Sequence, residues 1–131
     1  MAARPKILIV DDNTDYLFTM ETFLSRNGFD TVTAEDGKKG YELALKEKPD
    51  LILLDIMMEG LFSGFQFCKK KLADPELQDV PVIGISGLGD ELGVDTEKYK
   101  FIKKYFSPET FFEKPVDKEK LLAKIKELIG T

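Results

Sequence analysis

The chain of 131 residues contains no histidine and only one cysteine, and both shortages restrict its chemistry. Without histidine, zinc-hydrolase sites and Ser-His-Asp triads are excluded, because both depend on imidazole groups. A single cysteine, Cys68, cannot form an intrachain disulfide, which fits a reducing compartment, so we predict a cytoplasmic location. Cys68 follows Phe65 at helical i+3 spacing, which favours a buried core position over a catalytic thiol.

The chain also lacks an excess of basic residues and any long apolar run. Lys and Arg number 19 against 24 Asp and Glu, a formal net charge of −5. Nucleic-acid binding needs a basic surface, so we expect no direct nucleic-acid partner. No apolar run approaches the roughly 20 residues that span a bilayer, so no membrane insertion is expected. Length and composition predict a single soluble domain over residues 1–131, with no output domain visible.

Strand and helix patterns alternate from one end of the chain to the other. Short apolar or alternating runs predict strands over residues 6–10, 30–34, 51–54, 80–85 and 110–113. Helical patterns predict helices over residues 13–27, 36–48, 63–73, 90–105 and 117–129. Asp36 and Asp117 are expected to cap two of these helices, and Ser63 to Gln66 form a candidate capping box. The alternation predicts an α/β fold, a three-layer αβα sandwich whose five-stranded parallel sheet is flanked by five helices.

Polar side chains follow four of the predicted strands directly. Asp11 and Asp12 follow the first strand, Asp55 the third, Ser86 the fourth and Lys114 the fifth. Ligands of open α/β sheets bind outside the carboxyl ends of the strands, so we expect these side chains to share one site. Three clustered carboxylates repel one another, and such a cluster is usually maintained to hold a divalent cation.

Four segments together carry a family resemblance that extends over essentially the whole chain. They are ILIVDDN at 7–13, LLDIMM at 53–58, IS at 85–86 and FFEKP at 111–115. The chain resembles the receiver domain of response regulators in two-component signalling. The resemblance implies a flavodoxin-like fold with strand order 2-1-3-4-5 and a phosphoacceptor signalling module, not a turnover enzyme.

The same resemblance implies a role for each residue of the site. Asp55 would accept a phosphoryl group, while Asp11, Asp12, Asp55 and the backbone carbonyl of Met57 would hold Mg²⁺, for which Mn²⁺ could substitute. Lys114 would place a positive charge on the transferring phosphoryl oxygens. Because the chain has no histidine, the donor must be a separate sensor histidine kinase or histidine phosphotransfer protein. A downstream target protein would read the phosphorylated state.

The resemblance also implies a switch that responds to phosphorylation. Ser86 would donate its hydroxyl to the new phosphoryl group, and Phe111 would turn into the vacated space. The face formed by the fourth helix, fifth strand and fifth helix would then change and select a partner. An ordinary half-buried strand position remains the alternative for Phe111, and both a monomer and a phosphorylation-dependent homodimer remain open. The bond between Lys114 and Pro115 is expected to be cis, as in the family.

The chain departs from the family pattern at three places. Glu59 stands where proline is usual, and the loop before Gly64 is one residue longer. The stretch from Ser86 to Lys114 is also longer than usual. Met57 and Leu88 are apolar where the family often has polar side chains. An apolar pair offers no hydrogen bond to a hydrolytic water, so we expect slow autodephosphorylation.

Three other functions compete with a phosphoacceptor. A small Mg²⁺-dependent phosphohydrolase with Asp55 as nucleophile would need a second carboxylate two residues later, where Met57 stands. A flavin-binding protein would need a phosphate-binding loop after the first strand, where Asp11 and Asp12 would repel a phosphate. A receiver-like docking domain without phosphotransfer would not need the complete set of acids, serine and lysine.

Overall fold

The computed structural model describes residues 4–56, 61–86, 104–106 and 108–130. Five parallel strands form one sheet in the order β2-β1-β3-β4-β5. The strands are β1 (Lys6–Val10), β2 (Asp30–Ala34), β3 (Leu51–Asp55), β4 (Val82–Ser86) and β5 (Phe111–Glu113). The described helices are α1 (Thr14–Arg26), α2 (Gly37–Glu47), α3 (Leu61–Ala73), a 3₁₀ turn (Pro108–Thr110) and the C-terminal helix (Lys118–Ile129). Fold class and strand order are therefore as predicted.

The fourth predicted helix, over residues 90–105, falls largely outside the described residues. Its last two positions, Lys104 and Tyr105, are helical. The part of the chain that the structure describes thus contains four of the five predicted helices. None of those helices combines the length and the apolar character that crossing a membrane requires.

The sheet is buried on both faces because β1 and β3 are continuous apolar runs. Alternate residues of these strands point to opposite faces, and helices cover each face. One face packs against α2 and α3, with a core of Leu8, Val10, Ala44, Ile52, Leu54 and Phe67. The other packs against α1 and the C-terminal helix, with a core of Ile7, Ile9, Leu17, Met20, Leu53 and Leu121. Because the buried central strands run parallel, their carboxyl ends lie together at one edge of the sheet.

Helix caps mostly follow the expected chemistry. The Asp36 side chain accepts a hydrogen bond from the Lys39 backbone at 2.7 Å, and Asp117 caps the C-terminal helix in the same way. The capping box at Ser63 was wrong, because the backbone is already helical at Leu61. An N-cap residue contributes only about 1 kcal/mol, so burial of the helix against the sheet outweighs it.

Four strand boundaries differ from those predicted: the starts of β4 and β5, and the ends of β3 and β4, where Asp55 and Ser86 are the last strand residues. β4 begins at Val82, two residues late, because Val80 N–H donates to Leu77 O in the turn that follows α3. β5 begins at Phe111 because Thr110 belongs to the preceding 3₁₀ turn. At the other end, β3 extends through Asp55, which pairs with Ile85 of β4.

Gly84 in β4 lies against an aromatic ring. A Cβ atom at this position would lie 2.9 Å from two ring atoms of Phe106, which is itself buried. We expect Gly84→Ala to lower the free energy of unfolding by about 1–3 kcal/mol, measured by urea denaturation, because the ring cannot move without disturbing the core. The smaller side chain of a Phe106→Leu background should recover most of that loss. An equal loss in both backgrounds would contradict this contact.

Candidate functional site

The carboxyl ends of β1 and β3 bring three carboxylates together. Val10 and Leu54 are partners in the parallel register, so Asp11 and Asp55 emerge side by side. Asp11, Asp12 and Asp55 each offer one carboxylate oxygen, and these oxygens all lie within 4.8 Å of one another. Asp11 and Asp55 are 1% and 7% exposed, whereas Asp12 is exposed to solvent. The cluster is therefore buried at Asp11 and Asp55 and open to solvent at Asp12.

Local hydrogen bonds hold the first strand end and the start of α1 in one arrangement. The Asp11 backbone N–H donates to Ala34 O at 3.1 Å, and its carboxylate accepts from Asn13 N at 2.9 Å. The Asn13 side chain then caps α1 by accepting from Tyr16 N at 3.0 Å. These contacts orient the Asp11 carboxylate and place Tyr16 in the first turn of α1, beside the site.

Lys114 supplies the positive charge of the cluster. Its Nζ atom lies 3.0 Å from Asp11 Oδ2 and 3.8 Å from Asp55 Oδ2. Its backbone N–H donates to Ser86 O at 2.8 Å, which continues the β4–β5 pairing, and the following bond to Pro115 is cis, as predicted. One ammonium group offsets only one of three negative charges, so the cluster retains a net attraction for cations.

The two residues of the predicted switch lie on neighbouring strands. Ser86, at the end of β4, is fully buried and pairs in register with Glu113. Phe111, at the start of β5, is half-buried, and its ring centroid is 6.5 Å from that of Phe106. Phe106 was not singled out from the sequence, although it packs against both Gly84 and Phe111.

Tyr16 is a site residue that the sequence reasoning missed. Lys114 Nζ lies 4.1 Å from the centroid of its ring. Its hydroxyl is buried and has no hydrogen-bond partner among the described residues. Burial, followed by the charges of Asp11 and Asp55, raises the pKa of this phenol far above its ordinary value. The sequence feature that could have identified Tyr16 is its position as an aromatic residue in the first turn of the helix after Asp11 and Asp12, which faces the sheet edge.

The donor set fits a hard divalent cation. Three carboxylate oxygens in one cluster are the ligands that Mg²⁺ and Mn²⁺ favour, and the exposed side at Asp12 leaves room for the waters that Mg²⁺ retains. Met57, whose backbone carbonyl was expected to complete the ligands, lies outside the described residues, as does Leu88. The candidate ligands among the described residues are therefore the carboxylates of Asp11, Asp12 and Asp55.

A family model and the sequences of known proteins both match this chain, and they identify the same family. The family model described as response regulator receiver domain matches residues 7–126. Protein PilH of Pseudomonas aeruginosa is 36% identical over 125 residues, which cover 95% of this chain and 98% of PilH. The response regulator PleD of Caulobacter vibrioides is 33% identical and matches 98% of this chain. The chain spans nearly all of PilH but only 26% of PleD.

Solved structures agree with these sequence relatives. The chemotaxis protein CheY4 of Vibrio cholerae superposes with a TM-score of 0.79 at 25% identity, over 96% of this chain and 99% of CheY4. A CheY-like receiver domain protein from Methanospirillum hungatei superposes with a TM-score of 0.80 at 25% identity, over 97% of this chain and 94% of that one. From its sequence, its strand order and the acidic edge of its sheet, the chain belongs to the response regulator receiver domain family of two-component signalling.

Proposed function

We propose that the chain accepts a phosphoryl group on Asp55 from a phosphohistidine of a partner protein, in a step that requires Mg²⁺. The observation that supports this most directly is the position of Lys114, whose ammonium group lies between Asp11 and the nearly buried Asp55. A carboxylate attacking a phosphoryl group is one anion approaching another. Catalysis therefore depends on positive charge placed where the phosphoryl oxygens will lie.

In the proposed step an Asp55 oxygen forms a bond to phosphorus as the bond from phosphorus to the donor's imidazole nitrogen breaks. The imidazole leaves with the electron pair of that bond and is returned to its neutral form after proton transfer. Asp11 and Asp12 would hold the cation together with Asp55, and the cation would neutralise phosphoryl charge and orient the group. Lys114 would contact another phosphoryl oxygen, since its Nζ atom already lies 3.8 Å from Asp55.

The proposed readout of phosphorylation begins at Ser86. Its buried position at the end of β4 allows the hydroxyl to turn to a phosphoryl oxygen on the adjacent β3, where Asp55 pairs with Ile85. Phe111, half-buried beside Phe106, would follow into the space that Ser86 leaves. The target protein would recognise the changed surface around β5 and the C-terminal helix, and a homodimer through that surface belongs to the same proposal.

The experiment that tests this function is phosphorylation by acetyl phosphate, recorded as intact mass. With Mg²⁺ we expect the gain of one phosphoryl group, and removal of Mg²⁺ by EDTA should prevent it. Hydroxylamine should reverse the gain, because it cleaves acyl phosphates but leaves phosphoserine and phosphotyrosine intact. A folded protein that gains no mass in Mg²⁺ would contradict the proposal and favour a receiver-like docking domain.

The lifetime of the phosphorylated form gives a separate prediction. Apolar Met57 and Leu88 offer no hydrogen bond to an attacking water, so we expect slow decay after acetyl phosphate is removed. The Met57→Asn, Leu88→Glu double variant should decay roughly tenfold faster or more, because its polar groups can position that water. Decay is followed by intact mass, with Met57→Leu as the apolar control. An unchanged decay rate in the double variant would show that these positions do not control hydrolysis.

A further inference from the structure

Among the described residues, Lys114 has two close partners in addition to Asp55, and one of them is uncharged. The Asp11 carboxylate lies 3.0 Å from Nζ, and the ring of Tyr16 lies 4.1 Å from it, measured to the ring centroid. An ammonium at that distance over an aromatic face is attracted by the ring quadrupole. The contact joins the first turn of α1 to the end of β5, two elements that are distant in sequence and adjacent at the site.

A bound cation would affect the two partners of Lys114 differently, weakening the attraction of the Asp11 carboxylate but not that of the Tyr16 ring. Asp11 is one of the three carboxylates available to a divalent cation, so a bound cation competes with Lys114 for the same negative charge. The aromatic face carries no ligand atom that a hard cation prefers. It therefore continues to attract the ammonium group when Asp11 no longer does so fully.

We propose that Tyr16 is a positioning residue, whose ring keeps the Lys114 ammonium group beside Asp55 while Asp11 binds the cation. This inference rests on the proposed phosphoacceptor function and adds a residue to it. The ring, not the hydroxyl, carries the effect, since the contact is with the ring face. The hydroxyl has no hydrogen-bond partner among the residues that the structure describes.

The variants that test this separate the ring from the hydroxyl and from general packing. Tyr16→Leu removes the aromatic face, whereas Tyr16→Phe keeps it. Phe23→Leu is a matched control on the same helix, because Phe23 also lies under a lysine, with Lys118 Nζ 5.6 Å from its ring centroid, but about two helical turns further along α1 than Tyr16. Urea denaturation of each variant confirms that it is folded.

We expect Tyr16→Leu to slow phosphorylation by acetyl phosphate by roughly 5- to 30-fold, the range of a partly desolvated cation–π contact. Tyr16→Phe and Phe23→Leu should stay within about twofold of the parent rate. In a Lys114→Met background, Tyr16→Leu should cause no further loss, because the interaction it removes is already absent. Equal rates for Tyr16→Leu and Tyr16→Phe, or an undiminished effect without Lys114, would overturn the proposal.

A second measurement does not depend on phosphorylation. The ring should shift the NMR resonances of the Lys114 ε-methylene protons upfield, in Mg²⁺ as well as in its absence, for the parent and Tyr16→Phe proteins. Those resonances should return to ordinary lysine positions in Tyr16→Leu. If the parent protein takes no phosphoryl group, the phosphoacceptor function fails whatever the NMR result. If it does, and the upfield shift is absent in Mg²⁺, only the role of Tyr16 fails.

Discussion

Asp55→Asn is expected to abolish the gain of a phosphoryl group from acetyl phosphate in Mg²⁺. The amide nitrogen of asparagine is not nucleophilic, and its carbonyl oxygen carries far less charge than a carboxylate oxygen. The fold should persist, because Lys114 keeps Asp11 as its partner at 3.0 Å and one of three mutually repelling charges is removed. Intact mass measures the modification, and urea denaturation measures the stability of the variant.

The control for Asp55→Asn is Asp15→Asn. Asp15 is an exposed residue in the first turn of α1, so the substitution removes the same charge near the site without altering the cluster. The control should be phosphorylated like the parent protein. A hydroxylamine-labile phosphoryl group on Asp55→Asn would contradict the assignment and direct attention to Asp12, the exposed member of the cluster.

Lys114→Met is expected to slow phosphorylation by about 100-fold or more, while strengthening the binding of Mg²⁺. The slower reaction follows from the loss of a positive charge aimed at the phosphoryl oxygens, an effect of the size seen when preorganised donors are removed. The stronger binding follows because the ammonium group competes with the cation for Asp11 and Asp55, from which it lies 3.0 and 3.8 Å away. We expect Mg²⁺ to bind about tenfold more tightly, as measured by calorimetry.

Opposite changes in rate and affinity distinguish a catalytic lysine from one that only supports the fold. A collapsed site would lose both the reaction and the cation. The control is Lys120→Met, because Lys120 is exposed on the C-terminal helix and its substitution removes the same charge away from the cluster. That control should leave both the rate and the affinity close to those of the parent protein. Weaker Mg²⁺ binding in Lys114→Met would contradict the proposed competition.

The carboxylates could be placed correctly from the sequence because the relevant signals are strong and short. Ile7 to Val10 and Leu51 to Leu54 are uninterrupted apolar runs, and such runs in an α/β pattern form buried parallel strands. The residue after each run must then lie at the carboxyl edge of the sheet, whatever the details of the helices. Asp11 and Asp55 follow from that rule alone.

Capping motifs predicted helix ends less reliably than apolar runs predicted strands, because a cap contributes little to the free energy of folding. Asp36 and Asp117 cap their helices as predicted, yet the same kind of motif at Ser63 lies inside α3. A local hydrogen bond at a helix end is weaker than the burial of side chains such as Phe67 against the sheet. Where the two conflict, packing sets the boundary.

The α/β class, the buried strands and the sheet edge at which the acids, Ser86 and Lys114 lie all follow from the pattern of residues along the chain. Tertiary structure alone decided that the ring of Tyr16 faces Lys114 and that Phe106 packs on Gly84 and beside Phe111. Periodicity reports which side of an element is buried, because burial leaves a regular apolar pattern. It does not report which residue of another element packs there, because that depends on how helices and strands distant in sequence meet in space.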